Sequence, residues 1–396
     1  MGHIERQIAR EAKAMTKEQI YVKALEGRLT WLQAADIMGV TARHMRRIRG
    51  AVKRFGMDVL KDGRGGSRRK RIPAATITEL CRLRRETYPD FSIRHFYQFA
   101  TEKHGMKLSY TLTRIVLQTA GLAERAPGRG QYRRKRERRP MVGMMLHLDA
   151  STHRWLPDLP MQDLVVMLDD ADGRILYARF AEQEGTMSTF AALRHVLEHH
   201  GRFCELYTDR GSHFCNTTVA EQGPDPYQTG QVPRAMKALG IRQILARSPE
   251  ARGRSERAFG TIQGRLPQEL RAAGVRTYEG ANAYLEAAFV ADFNRRFTIQ
   301  PAQPESAFMK VAGMDLELLL SVQHERIVRG DSTVAFECLV LQLPASDARR
   351  HYVRCPVLVH ELVDGYLAVT YQGRTLARFD RTGALLAKPR SKRLAA

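Results

Sequence analysis

At 396 residues the chain is too long for one hydrophobic core, and roughly two to four domains are expected. Its 43% apolar and 27% charged residues are an ordinary globular balance, while the polar start MGHIERQIAR and the rest of the chain offer no transmembrane span, lipidation motif or cleavable signal. Charge is the informative quantity: residues 1–140 hold 33 Lys and Arg against 13 Asp and Glu, and residues 141–396 hold 31 against 29, so a polyanionic partner is expected for the front third.

In chain order, LTWLQAADIMGVTARHMRRIRG (29–50) comes first. Leu32, Ala35 and Ile37 are expected to form an apolar helix face, Gly39 a sharp turn, and Thr41 the cap of a second helix that carries Met45 and Ile48 inward. This spacing resembles a helix-turn-helix, and the outward Arg43, His44, Arg46 and Arg47 suit a recognition helix in a DNA major groove; a plain helical hairpin with a solvated basic face is the alternative. A Gly- and Arg-rich arm follows at 61–73, then three amphipathic segments over 74–124 that read as a second helical DNA-binding module. The last of them is capped by Ser109 and closed at Gly121. A second basic linker, 125–140, ends this region.

Beyond Pro140 the texture changes. MMLHLDAS, DLVVMLDD and RILYARF read as strands, STFAALRHVLEHHG as a helix, FCELYTD as a strand, and PRAMKALG, RQILARS and RSERAFGTIQGRLPQEL as helix, strand and helix. That βββαβαβα order predicts an α/β layer with a mixed sheet over 141–310. From Arg326 short strands separated by Gly and Asp predict a small β-barrel over 326–385. The five cysteines, Cys81, Cys204, Cys215, Cys338 and Cys355, are scattered and never form a C-x-x-C pair, which fits reduced cytosolic thiols and no zinc finger.

Three acids of the α/β segment stand at distinctive stations. Asp149 alternates with Leu146 and Leu148 in the first strand, and Asp209 ends the strand ELYTD, where Gly211 lets the chain turn. Glu256 occupies the first turn of a helix whose buried stripe is Phe259, Ile262 and Leu266. Three carboxylates brought to one point repel and demand a cation, most naturally Mg²⁺ with its preference for oxygen ligands. Arg254 and Arg257 beside Glu256, together with Arg252 and Arg265, are candidates for holding phosphate. The denser set Asp169, Asp170 and Asp172 falls in a hairpin turn, where Asp is favoured regardless of function. His213 lies close enough to Asp209 to touch a substrate.

LHLDAS, LYTDRGSHF and SPEARGRSERAFGTIQGRL, in that order, resemble the three motifs of bacterial insertion-sequence transposases of the retroviral-integrase (DDE) superfamily, the ISNCY-like group in particular. The resemblance implies a multidomain protein: an α-helical helix-turn-helix region (1–60), an α/β RNase H-like catalytic core and a terminal barrel. It implies Asp149, Asp209 and Glu256 as catalytic and metal-binding residues, using two Mg²⁺ or Mn²⁺ ions to cleave DNA and transfer strands. Its implied partners are double-stranded DNA, as element terminal repeats and as target, and further copies of the chain, in the bacterial cytoplasm at the nucleoid. The 46 residues between Asp209 and Glu256 exceed the family's usual interval, and the polar stretch 215–231 accounts for the excess as a surface loop. An inert DNA-binding regulator and a nuclease that only cleaves are the alternative readings.

Overall fold

The computed structural model describes residues 17–60, 72–124, 137–215, 230–246, 253–345 and 349–386. The arm at 61–71, the basic stretch 125–136, the loop at 216–229, Arg252 and the tail PRSKR lie outside them. The chain divides into two compact units, Met1–Thr78 and Glu79–Ala396.

The first unit is helical: α1 (residues 17–25), α2 (Trp31–Ile37), α3 (Ala42–Phe55) and a 3₁₀ turn, Met57–Leu60. Thr30 and Gln33 form a capping box on α2, and the Thr41 hydroxyl accepts from the His44 N–H to start α3, as its position predicts. Gly39 turns the chain between them at φ +65°. The small core is Ala24, Ala34, Ala35 and Met45, with Ile48 packed against it. Leu32 and Ile37, expected inside, are instead 71% and 57% exposed. The reason is geometric: Ala34 and Ala35 set the inward face, and Leu32 and Ile37 lie about 110° to either side of its centre, which turns both toward solvent.

The unit boundary falls within α4 (Ala74–Glu86), which is followed by α5 (Ile93–Glu102) and α6 (Tyr110–Thr119). Ser92 and Ser109 cap the last two, and Leu80, Phe91, Phe96, Phe99 and Leu117 make their core. The sheet that follows contains β1 (Met145–His153), β2 (Gln162–Asp169), β3 (Ile175–Ala181), β4 (Glu205–Thr208) and β5 (Arg242–Leu245), in the order β3-β2-β1-β4-β5. The first three strands are antiparallel and the last two run parallel to β1, so the predicted mixed α/β layer is present.

Both faces of the sheet are covered. α7 (Thr186–His199) and α8 (Gln231–Leu239) bury one face around Leu146, Leu148 and Leu206. On the other, around Val166, Leu168 and Trp155, lie α9 (Gly253–Gln263), α10 (Leu266–Ala272), α11 (Tyr278–Tyr284), a π-helical stretch Leu285–Phe289 and α12 (Val290–Phe297). The single helix expected over RSERAFGTIQGRLPQEL is broken at Gly264 and Arg265, because Pro267 opens a new helix and removes an internal donor. Strand β3 is an edge strand, and two asparagines close it. Asn294 takes the Ile175 N–H at 2.7 Å and gives to its carbonyl at 2.8 Å, and Asn282 takes the Phe180 N–H at 2.8 Å.

Helices α5, α10 and α12 meet through polar side chains. Arg265 reaches Gln98 at 2.8 Å, Arg271 reaches Asp90 at 2.5 Å, and Arg296 reaches Glu102 at 2.9 Å. The predicted second helical module is thus packed on the α/β layer.

After α13 (Leu316–Leu319) come β6 (Val322–Ile327), β7 (Thr333–Phe336), β8 (Leu339–Gln342), β9 (Pro356–Glu361), β10 (Leu367–Tyr371) and β11 (Arg374–Phe379). The expected barrel does not close among the described residues: β11-β10-β9-β6 is an open sheet and β7-β8 is a separate hairpin. The hairpin's Val334, Phe336 and Leu341 instead cover the sheet's Val357, Val359, Val369 and Phe379, so the apolar face is buried without ring closure.

Candidate functional site

Asp149 lies on β1, 8% exposed, on the face opposite Leu146 and Leu148. Its antiparallel partner across the sheet is Val166, a residue of the core beneath α9. On its other side β1 pairs with β4 in parallel register, Met145 with Glu205, Leu146 with Leu206 and His147 with Tyr207, a constant offset of 60. Asp149 and Asp209 stand in the same offset, two residues beyond the last paired positions.

Asp209 follows the last residue of β4 directly. One of its carboxylate oxygens accepts the Gly211 N–H at 2.8 Å, an Asx-type turn. Gly211 matters here through its missing side chain: a Cβ would lie 3.1 Å from Asp209 Oδ1 and 3.0 Å from His213 Cε1. His213 itself sits on Phe214, with ring centroids 3.9 Å apart, and 3.6 Å from Glu184.

Glu256 is exposed in the first turn of α9, whose Ser255, Phe259 and Ile262 are buried. Leu266, expected to continue that buried stripe, is buried at the start of α10. α9 lies on the Asp149 face of β1: Gln263, at its end, donates to Ser151 Oγ at 2.8 Å. Gln263 is seven residues beyond Glu256, two helical turns, and therefore shares its side of the helix. Asp149 and Asp209 thus lie on neighbouring segments of the sheet in one offset, and Glu256 is carried on a helix laid over the Asp149 face. Among the described residues no group of three or more His, Cys, Asp or Glu is close enough to hold a metal ion, so the three acids are not drawn into one ligand cluster. The donors themselves are hard carboxylate oxygens, the type Mg²⁺ and Mn²⁺ take.

The hairpin acids set aside in the sequence are all buried, and their partners explain why. Asp169 accepts from Gly143 and Ala171 N–H at 2.7 and 2.8 Å; burial nevertheless pushes its carboxyl up to about 6. Asp170 receives His147 Nε2 at 2.7 Å, the Arg139 N–H at 2.7 Å and the Arg254 guanidinium. Burial alone would raise Asp170, but these donors outweigh it and hold the carboxyl well below the usual range. Asp172 pairs with Arg174.

Arg254, a sequence candidate for phosphate contact, therefore turns inward with its side chain only 16% exposed. Arg257 is exposed, its Nε donating to the Gly253 carbonyl at 2.8 Å. Arg265 is buried against Glu269 and Phe297, so it belongs to the packing of α5, α10 and α12. A cavity of about 540 Å³ opens beside α9, lined in part by His147, Asp169, Arg254, Arg257, Phe293 and Phe297. In the first unit Arg43, His44, Arg46 and Arg47 are all exposed along α3, while Met45 between them is buried. No helix among the described residues is long and apolar enough to cross a membrane.

Two curated proteins are similar to the chain over most of its length. It is 29% identical over 382 residues, 93% of this chain and 81% of the other, to "Putative transposase y4bF" of Sinorhizobium fredii strain NGR234. It is 25% identical over 319 residues, 71% and 68% of the two chains, to the transposase for insertion sequence IS1202 of Streptococcus pneumoniae. No family model matches the chain. Among solved structures, the HTLV-2 integrase catalytic core in complex with magnesium covers 41% of this chain and 93% of its own at 14% identity, with a TM-score of 0.30, too low to weigh. The resemblance to bacterial insertion-sequence transposases read from the three motifs thus extends over most of the chain.

Proposed function

We propose, with that likeness to insertion-sequence transposases as the premise, that the chain is a DDE-type DNA transposase with an RNase H-like core, binding element ends and cleaving and transferring DNA strands. The observation that carries the reading is the offset of 60 between the paired residues of β1 and β4, in which Asp149 and Asp209 also stand, with Asp149 on the face that α9 covers. In this reading Asp149, Asp209 and Glu256 hold two divalent ions, Mg²⁺ or Mn²⁺. When bound, such ions supply Lewis-acid stabilisation of the charge that develops on a transferring phosphoryl group.

The chain's own residues do the rest. Burial on β1 fixes the Asp149 carboxylate in one orientation, and the Gly211 N–H fixes that of Asp209, so neither has to be ordered when DNA arrives. Exposed Arg257 is available to a DNA phosphate next to Glu256. Arg43, His44, Arg46 and Arg47 on α3 read or grip the terminal repeat, and the basic excess of residues 1–140 supplies sequence-independent attraction to the phosphate backbone. Joining two ends requires two active sites, so a homo-oligomer on DNA is part of the proposal.

The test is strand cleavage and transfer of a duplex bearing the element's terminal repeats in Mg²⁺ or Mn²⁺. Asp149→Asn, Asp209→Asn and Glu256→Gln should each lower both steps by about a thousandfold or more while leaving a measurable residual rate, and full strand transfer by any of them overturns the assignment. A second reading is a DNA-binding regulator with an inert core, for which the exposed basic face of α3 would suffice. Calorimetric titration with Mn²⁺ separates the two: heat of binding lost in Asp149→Asn supports the enzyme, and no binding supports the regulator.

A further inference from the structure

Helix α9 is pinned to the sheet at both ends by buried or half-buried polar contacts. Near its start Arg254 donates to Asp170, which also receives His147 Nε2 at 2.7 Å; at its end Gln263 donates to Ser151 at 2.8 Å. His147 and Ser151 are the residues two before and two after Asp149 on the same strand face. The lengths agree: nine helical residues from Arg254 to Gln263 rise about 13.5 Å, and four strand residues from His147 to Ser151 span about 13 Å. Between the pins Phe259 and Ile262 are buried in the shared core, so helix and strand run side by side in fixed register. Glu256 lies between the helix pins as Asp149 lies between the strand pins.

We propose that Arg254, through Asp170 and His147, and Gln263, through Ser151, are positioning residues that set the register of the Glu256 helix over Asp149. The inference rests on the transposase reading for what Glu256 does, but not for the pinning itself. The Asp170 carboxylate is wholly buried and accepts from three elements at once: β1 through His147, the chain before β1 through the Arg139 N–H, and α9 through Arg254. A buried, multiply hydrogen-bonded carboxylate of this kind contributes specificity of geometry more than net stability, since a packed apolar replacement is often as stable. Asp170, one of the hairpin acids, thus acts one step removed from the chemistry, by holding the helix that carries the third carboxylate.

The experiment uses full-length wild type, Arg254→Met, Arg254→Lys, Gln263→Leu and the Arg254→Met/Glu256→Gln double variant. Hydrogen exchange read by mass spectrometry is expected to quicken about tenfold or more over 253–263 in Arg254→Met, with β1 and β2 unchanged. Nicking of terminal-repeat duplex in Mn²⁺ should lose about 10- to 100-fold in kcat with KM for DNA held, the range for a supporting contact that misplaces a reacting group. Arg254→Lys should recover part of that loss, and Arg254→Met should add nothing in the Glu256→Gln background. Unchanged exchange over α9 in both Arg254→Met and Gln263→Leu overturns the pinning. A kcat loss that adds in full to that of Glu256→Gln overturns the action through Glu256. If exchange quickens while wild type fails to nick any terminal-repeat DNA, the pinning stands and the transposase reading falls.

Discussion

Replacing Glu269 by Gln tests how the helices before the sheet are held against it. The Glu269 side chain is buried on α10, where Oε1 lies 2.9 Å from His95 Nε2 and 3.4 Å from Arg265 Nε, and Oε2 accepts from Tyr284 at 3.1 Å. The approach to His95 is close but outside hydrogen-bond alignment. Burial lowers the His95 pKa, so the imidazole is neutral near pH 7, and Arg265 is the cation that Glu269 balances. Removing one charge of a buried pair costs about 3–5 kcal/mol. Arg265 keeps Gln98 at 2.8 Å and the Phe297 ring at 5.3 Å, which retain part of its stabilisation. A loss of about 2–4 kcal/mol is therefore expected. For a folding unit of roughly 300 residues that corresponds to about 3–6 °C in Tm. Urea denaturation followed by fluorescence of Trp155, fully buried against the same core, supplies the readout, with Arg265→Met and the double variant completing a cycle. A Glu269→Gln loss below about 0.5 kcal/mol, or strict additivity with Arg265→Met, would refute the balance drawn between these two groups.

Other substitutions check separate parts of the structure. Met45→Ala empties the core of the first unit and should cost about 2–4 kcal/mol, whereas Leu32→Ser, on the surface, should stay within about 0.5 kcal/mol; urea melts compare the two. Gly201→Ala should lose about 2 kcal/mol or more in the same assay, because φ is +104° and a Cβ would sit 2.5 Å from the Met309 carbonyl oxygen. Asp169 gives a pH signature. Its folded pKa of about 6 lies above the ordinary 3.8, so the folded state holds the extra proton in that window. Its contribution is most favourable below the ordinary value and is lost as pH rises through about 6, a fall of roughly 3 kcal/mol. Stability measured from pH 4 to 7 should show that downward slope, and Asp169→Asn should flatten it.

Local signals in the sequence were reliable where the deciding contact was local. Thr41 and Ser109 cap the helices their positions predict, and Leu146 and Leu148 part from Asp149 as strand alternation requires. Phe259 and Ile262 are buried as the helical stripe demands. Distant partners were not legible. Asp169 and Asp170 read as a surface turn, because the groups that bury them come from Arg139, Gly143 and Arg254, the last 84 residues away. For the same reason Arg254 looked like a phosphate ligand and is instead an internal partner. Leu32 and Ile37 misled because a seven-residue helix offers one narrow contact face, and Ala34 and Ala35 occupy it. The break at Gly264 did have a signal, the Pro267 that follows it, whereas closure of the terminal sheet depends on strand pairing that residue pattern does not encode.

The two asparagines on β3 bear on how copies of this chain can meet. A bare edge strand is a template onto which a second molecule adds its own strand, giving a continuous sheet and, if repeated, a fibre. Asn294 imitates a neighbouring peptide group at Ile175, and Asn282 does so at Phe180, so the rungs a foreign strand would use are taken from within the same chain. Growth by strand addition is blocked along that margin. Copies of this chain that meet would do so through side-chain surfaces or another edge, not by adding a strand to β3.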